Sequence, residues 1–93
     1  MHLERSIFYY LEIRKRNGIS PATLRDERRL FDRYLDFCKD RNLNGRERLL
    51  METVLVYRDW LKEGSLSPER QKRHVYLLYR LVHFTIEQRR GRK

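Results

Sequence analysis

Three kinds of side chain in this sequence can do chemistry: scattered histidines, one cysteine, and cations clustered around an aromatic hydroxyl. The cations give the clearest pattern. Read as a helix, the stretch 68–89 sets Lys72, Arg73 and Arg80 around Tyr76 on a polar face shared with Glu69 and His83. Such cations suit phosphate oxygens, and the ring or hydroxyl is free to meet a sugar or base edge. Ser67 and Pro68 open that helix, and the backbone N–H groups behind Ser67 form a ready place for a phosphate oxygen. A helix opening at Ser20 and Pro21 repeats the device with Ser20, Thr23 and Arg25, followed by Arg28 and Arg29. The openings of two capped helices would then present cations side by side to a polyanion. The competing reading is a solvated charged face, with Arg28–Asp32, Arg29–Asp32 and Arg33–Asp36 as helix pairs worth about 0.2–0.5 kcal/mol each. Both readings stand for the second helix. On the fourth, Glu69 and Glu87 are the nearby acids, and anion binding is the expectation.

The other reactive groups do not converge. His2, His74 and His83 form no metal-ligand pair at helical spacing with Cys38 or a carboxylate. His74 lies at the edge of an apolar arc and is expected to pack or cap, while Cys38 falls on an apolar stripe and is expected in the core. Asp32 and Asp36 face outward, and the four glycines are isolated, so no phosphate loop is present. No catalytic residue, metal or cofactor is expected of this chain.

The elements that must position these groups are well punctuated. Asn17-Gly18-Ile19-Ser20-Pro21 and Gly64-Ser65-Leu66-Ser67-Pro68 each hold a Gly that can end one helix and a Ser-Pro that opens the next. Arg41-Asn42-Leu43-Asn44-Gly45 is a softer break. The spacing predicts four helices, over 3–16, 21–41, 48–63 and 68–89, in one all-α domain. Their apolar faces are Leu3, Ile7, Tyr10 and Leu11; Leu24, Phe31, Leu35 and Cys38, widened by Leu30, Tyr34 and Phe37; and Leu50, Val54, Tyr57 and Leu61. The fourth helix has two faces, Val75-Leu78-Val82-Ile86 and Leu77-Leu81-Phe84, which predicts a central element gripped from two sides. The second and fourth helices also echo each other at an offset of 47 residues, as a repeat or by chance. Phe8, Tyr9, Ile13, Val56 and Trp60 lie off these faces. Crossing helices are expected to bury some of them; a partner surface is the alternative.

Composition narrows the function classes. There are 22 Lys and Arg against 13 Asp and Glu, a net charge of +9. The segments 1–19, 20–41, 42–64 and 65–93 carry +2, +1, 0 and +6, so the excess gathers on the fourth helix and the tail Arg89-Arg90-Gly91-Arg92-Lys93. That balance favours a polyanion. No apolar run approaches the ~18 residues of a membrane span, no secretory leader is evident, and one cysteine fits a reducing compartment. A cytoplasmic, nucleoid-associated protein without membrane contact is expected.

Taken in order, these residues resemble one known family. Tyr10-Leu11, Asn17-Gly18-Ile19-Ser20-Pro21-Ala22-Thr23-Leu24, Leu30-Phe31 and Leu35-Asp36-Phe37 resemble the start of the core-binding domain of tyrosine recombinases, the phage integrases and their relatives. Val54, Tyr57, Trp60-Leu61 and Gly64 are similar to its third helix, and Ser67, Gln71, Arg73, Leu78, Leu81-Val82 and Phe84 to its closing helix. The resemblance spans about residues 7–88. It implies a SAM-like four-helix bundle of two crossed helical hairpins. Such a domain grips duplex DNA at a recombination half-site, with its second and fourth helices toward the major groove. Carried over, the DNA-facing residues are Ser20, Thr23 and Arg25, then Ser67, Arg70, Lys72 and Arg73, with Tyr76 and Arg80 beside them. The family often has Tyr where Glu27 stands and Thr where Arg70 stands. His2-Leu3-Glu4-Arg5 spells the family's catalytic His-x-x-Arg without its companions. The resemblance therefore implies no strand cleavage by this chain alone. It also implies a catalytic domain of the same polypeptide, with 90–93 beginning the linker, and neighbouring recombinase protomers as further partners.

The expected function is thus DNA binding in phage-type or prokaryotic DNA integration and recombination. Two other classes remain: a helical protein-interaction module using Phe8, Tyr9, Val56 and Trp60, and a free-standing regulator of helix-turn-helix type.

Overall fold

Two of the helices end at a residue with a left-handed backbone, Gly18 and Asn42. A computed structural model describes residues 3–90, with side chains through 88; His2, residues 91–93 and the side chains of Arg89 and Arg90 lie outside what is described. Helix α1 (Leu3–Arg16) stops at Gly18, whose φ of +86° lets the Ile19 N–H reach back to the Arg14 carbonyl at 3.2 Å. Helix α2 (Pro21–Asp40) opens on Ser20, whose extended backbone precedes Pro21 and whose Oγ accepts the Thr23 N–H at 3.2 Å. It closes through the same kind of left-handed cap, with Asn42 at φ 57° and the Leu43 N–H on the Cys38 carbonyl at 2.9 Å. The softer break is therefore as firm as the glycine one.

The third helix departs from expectation. A 3₁₀ turn occupies Gly45–Leu49, Leu50 is extended, and helix α3 runs Met51–Lys62 rather than from 48. Leu50 then supplies the carbonyl that accepts the Thr53 and Val54 N–H groups, and its side chain is 49% exposed instead of in the core. Thr53 Oγ1 ties the turn to the helix by donating to the Glu47 carbonyl at 2.6 Å. Helix α4 (Pro68–Arg90) opens on Ser67, whose Oγ accepts the Arg70 N–H at 3.3 Å.

The four helices make an all-α bundle of 39 × 30 × 17 Å. Neighbours in sequence pack together, α1 on α2 and α3 on α4, and α4 also lies against α1 and α2. The expected central role of α4 holds, but its buried stripe is His74, Leu77, Leu78, Leu81, Val82 and Thr85; Ile86 is exposed, and Val75 and Phe84 are half-buried. The remaining core is Leu3, Ile7 and Tyr10 from α1, Leu30, Phe31, Tyr34, Phe37 and Cys38 from α2, and Val54, Tyr57 and Leu61 from α3. Leu11, Leu24 and Leu35 sit half-buried at its edges. Tyr34 and Phe37 meet Tyr57 edge-on at ring separations of 5.1 and 5.0 Å, and the Tyr34 hydroxyl donates to the Arg48 carbonyl at 2.7 Å.

One charge is buried in this core. Glu27 takes both its hydrogen bonds from Arg14, Nε to Oε1 and Nη2 to Oε2, each at 2.7 Å. A bidentate pair fixes both planes at once, so it sets how α1 lies on α2. No described helix is long and apolar enough to cross a membrane.

Candidate nucleic-acid interface

The start of α4 rests against the second and third turns of α2, and the seam is an open groove of about 530 Å³. Asp26, Arg29, Leu30 and Arg33 line it from α2; Leu66, Arg70, Arg73 and His74 line it from the α4 side. Four arginines thus line one space together with a single acidic residue, Asp26. No ion pair engages Arg29, Arg33, Arg70 or Arg73 among the described residues. Arg33 instead lies over the Trp60 ring, 5.6 Å from its centroid.

His74 on the groove floor registers the resulting field. It is 7% exposed, with Nδ1 3.3 Å from the Tyr57 hydroxyl. Burial first, and then the charges of Arg33, Arg73 and Arg70, lower its pKa from 6.5 to about 4. The imidazole is therefore neutral at pH 7, as the expected packing role requires. Burial likewise pushes the Cys38 thiol up, in keeping with its place inside the bundle.

The residues expected to meet a polyanion divide among three places. Arg29, Arg70 and Arg73 share the α2/α4 groove. Lys72 and Tyr76 line a second groove of about 590 Å³ on the other flank of α4, against α3. Successive helical residues are about 100° apart, so Lys72 and Arg73 leave α4 on different sides. Arg80 leans on Tyr76, its guanidinium 5.7 Å from the ring centroid and Nη1 3.5 Å from the hydroxyl. Ser20, Thr23, Arg25 and Arg28 form the third group, at the start and on the outer side of α2. There the Ser20 hydroxyl donates to Thr23 Oγ1 at 3.0 Å, and Arg28 pairs with Asp32 at 3.3 Å. Ser67 caps α4 and lines neither groove. The cations that meet the start of α4 are thus Arg29 and Arg33, not those beside Ser20.

Sequence reading missed Arg33 and the floor residue His74. Arg33 has the spacing for a pair with Asp36, but among the described residues that pair does not form. The signal was present in the 29/33 and 70/73/74 spacings, but it becomes legible only once α2 and α4 are known to adjoin.

The expectation that crossing helices bury some of the residues off the apolar faces fails. Phe8, Tyr9 and Ile13 are exposed on α1, and Val56 and Trp60 on α3, because the crossing helices cover other faces. Phe8 and Tyr9 touch edge-on at 5.9 Å. No family model matches this chain, and neither a curated protein nor a solved structure is detectably similar to it.

Proposed function

We propose that this chain is a duplex-DNA-binding module, a core-binding domain of the tyrosine-recombinase kind, that takes backbone phosphates in the α2/α4 groove. The observation that carries the reading is the convergence of Arg29, Arg33, Arg70 and Arg73 without carboxylate partners. Four like charges around a half-open space repel one another, and an array of phosphates relieves that repulsion while accepting planar, bidentate hydrogen bonds. The arrangement supplies positioning and no strand chemistry. The SAM-like topology and the link to recombination rest on the sequence resemblance.

Anisotropy titration of a labelled duplex tests this. A module that holds phosphates and little else binds with Kd of about 10⁻⁴–10⁻⁶ M at physiological salt, and its affinity falls with a log–log salt slope of about −0.9 per phosphate neutralised. Arg70→Ala with Arg73→Ala should make that slope shallower by about two such steps. Duplex binding indifferent to salt, or unchanged in that variant, would falsify the reading. A second reading, a protein-interaction module, is favoured by the exposed Phe8, Tyr9 and Ile13. It predicts self-association in sedimentation that survives high salt and is lost in Phe8→Ser.

A further inference from the structure

The other flank of α4 has a different chemistry. Lys72, Tyr76, Tyr79 and His83 recur at intervals of four, three and four residues, one continuous stripe about 16 Å long at 1.5 Å per residue. Tyr76 is 58% exposed and Tyr79 47%, so each keeps about half its surface in solvent. Tyr79 meets the His83 ring at a tilt of 54° and a ring separation of 4.4 Å, and Arg80 covers one side of Tyr76. Across the groove α3 presents Arg58 and Lys62. No acidic residue lines this groove; Asp59 stands at its edge, 3.5 Å from Arg58 and 3.8 Å from Lys62, both exposed contacts that leave Lys72 without a partner.

We propose that the α3/α4 groove binds single-stranded nucleic acid, with unpaired bases stacking on Tyr76 and Tyr79 and their phosphates held by Lys72, Lys62 and Arg58. Exposed aromatic rings in file along a cation-lined groove are the elements from which single-strand sites are built, because every base has a π-face and every nucleotide one negative charge. Duplex DNA keeps its bases stacked on each other and offers these rings no free base face. An acidic peptide satisfies the cations, but it needs an aliphatic pocket to anchor it. The apolar residues here are two tyrosines with Pro68 and a half-buried Val75, too few aliphatic groups for such a pocket. The assignment concerns a surface separate from the arginine groove and stands whether or not that groove takes duplex.

The test is anisotropy with a labelled oligothymidine and, in parallel, a labelled duplex, using the full chain. Wild type should bind the oligothymidine, and Tyr76→Ala with Tyr79→Ala should weaken it at least tenfold while leaving duplex affinity within twofold. The Tyr76→Phe, Tyr79→Phe variant keeps the rings and should retain binding to within about threefold. Arg29→Ala with Arg73→Ala should spare the oligothymidine relative to the tyrosine variant. Circular dichroism melts verify that each variant folds, which the exposure of both tyrosines favours. The proposal is overturned if the alanine pair binds oligothymidine like wild type, or if the phenylalanine pair loses as much as the alanine pair. It is overturned equally if polyglutamate of matching charge displaces the oligothymidine as well as unlabelled oligothymidine does, or if the arginine variant loses as much as the tyrosine one. Loss of duplex binding with oligothymidine binding intact would count against the proposed duplex function alone.

Discussion

At the scale of single residues, the Arg14–Glu27 pair is the most consequential contact outside the grooves. The Glu27 side chain is 2% exposed and Arg14 keeps 20% of its own surface in water, so neither is fully solvated and each depends on the other. Burial opposes Arg14's charge, but its hydrogen bond to Glu27 is the larger effect and raises the guanidinium's pKa. Arg14→Ala leaves a carboxylate in the core without a counter-charge. A loss of about 3 kcal/mol in urea unfolding is expected, the low end for a broken buried pair because Arg14 is partly wet. Removing both partners, as in Arg14→Met with Glu27→Leu, should recover most of that loss. An additive double variant would show that the two residues do not act as a pair. Glu27 was legible in principle, since 24, 27, 31, 34 and 38 share one face of α2, yet an acid on an apolar stripe has no sequence sign that names its partner.

At the scale of elements, the two Gly-to-Ser-Pro breaks look alike in sequence and behave differently. Gly18 adopts φ +86° and closes α1; Gly64 shows no positive φ, and α3 has already ended at Lys62. A Cβ at Gly18 meets nothing within 4 Å, so the cost of Gly18→Ala is purely that of the left-handed backbone, about 1 kcal/mol. At Gly64 a Cβ comes 3.5 Å from the Leu61 carbonyl oxygen, an ordinary contact. Gly64→Ala should therefore be neutral or stabilise by up to about 1 kcal/mol through the unfolded chain. Thermal melts that rank the two variants in the opposite order would refute this account of the breaks. Helix number, caps and three of the four helix starts were readable because Ser, Pro and Gly act locally. The 3₁₀ turn and the extended Leu50 were not, since nothing in residues 45–50 breaks the helical pattern; Thr53 and Glu47 fix that corner through a contact six residues apart.

At the scale of the whole molecule, the +9 charge is not spread evenly; part of it gathers on the α2/α4 seam, where burial first and these charges second couple stability to pH. Which helices adjoin is a property of the packed bundle, so this concentration could not be read from segment charges, where 20–41 scored only +1. His74 reports it. Its pKa is about 4 in the folded chain against an ordinary 6.5, so between these values the unfolded chain binds a proton that the folded chain refuses. Its contribution to stability is accordingly complete above pH 6.5 and is lost as pH falls toward 4, by about 3 kcal/mol. Urea unfolding across that window should show the decline, and His74→Gln should flatten it; carboxylates that titrate in the same range remain in the variant and set its residual slope. Phosphates seated among Arg33, Arg70 and Arg73 would cancel part of the field that lowers this pKa, while burial would persist. The His74 ring, followed by NMR, should therefore titrate at higher pH with duplex bound than without it. A pKa unchanged by saturating duplex would place the DNA away from these arginines.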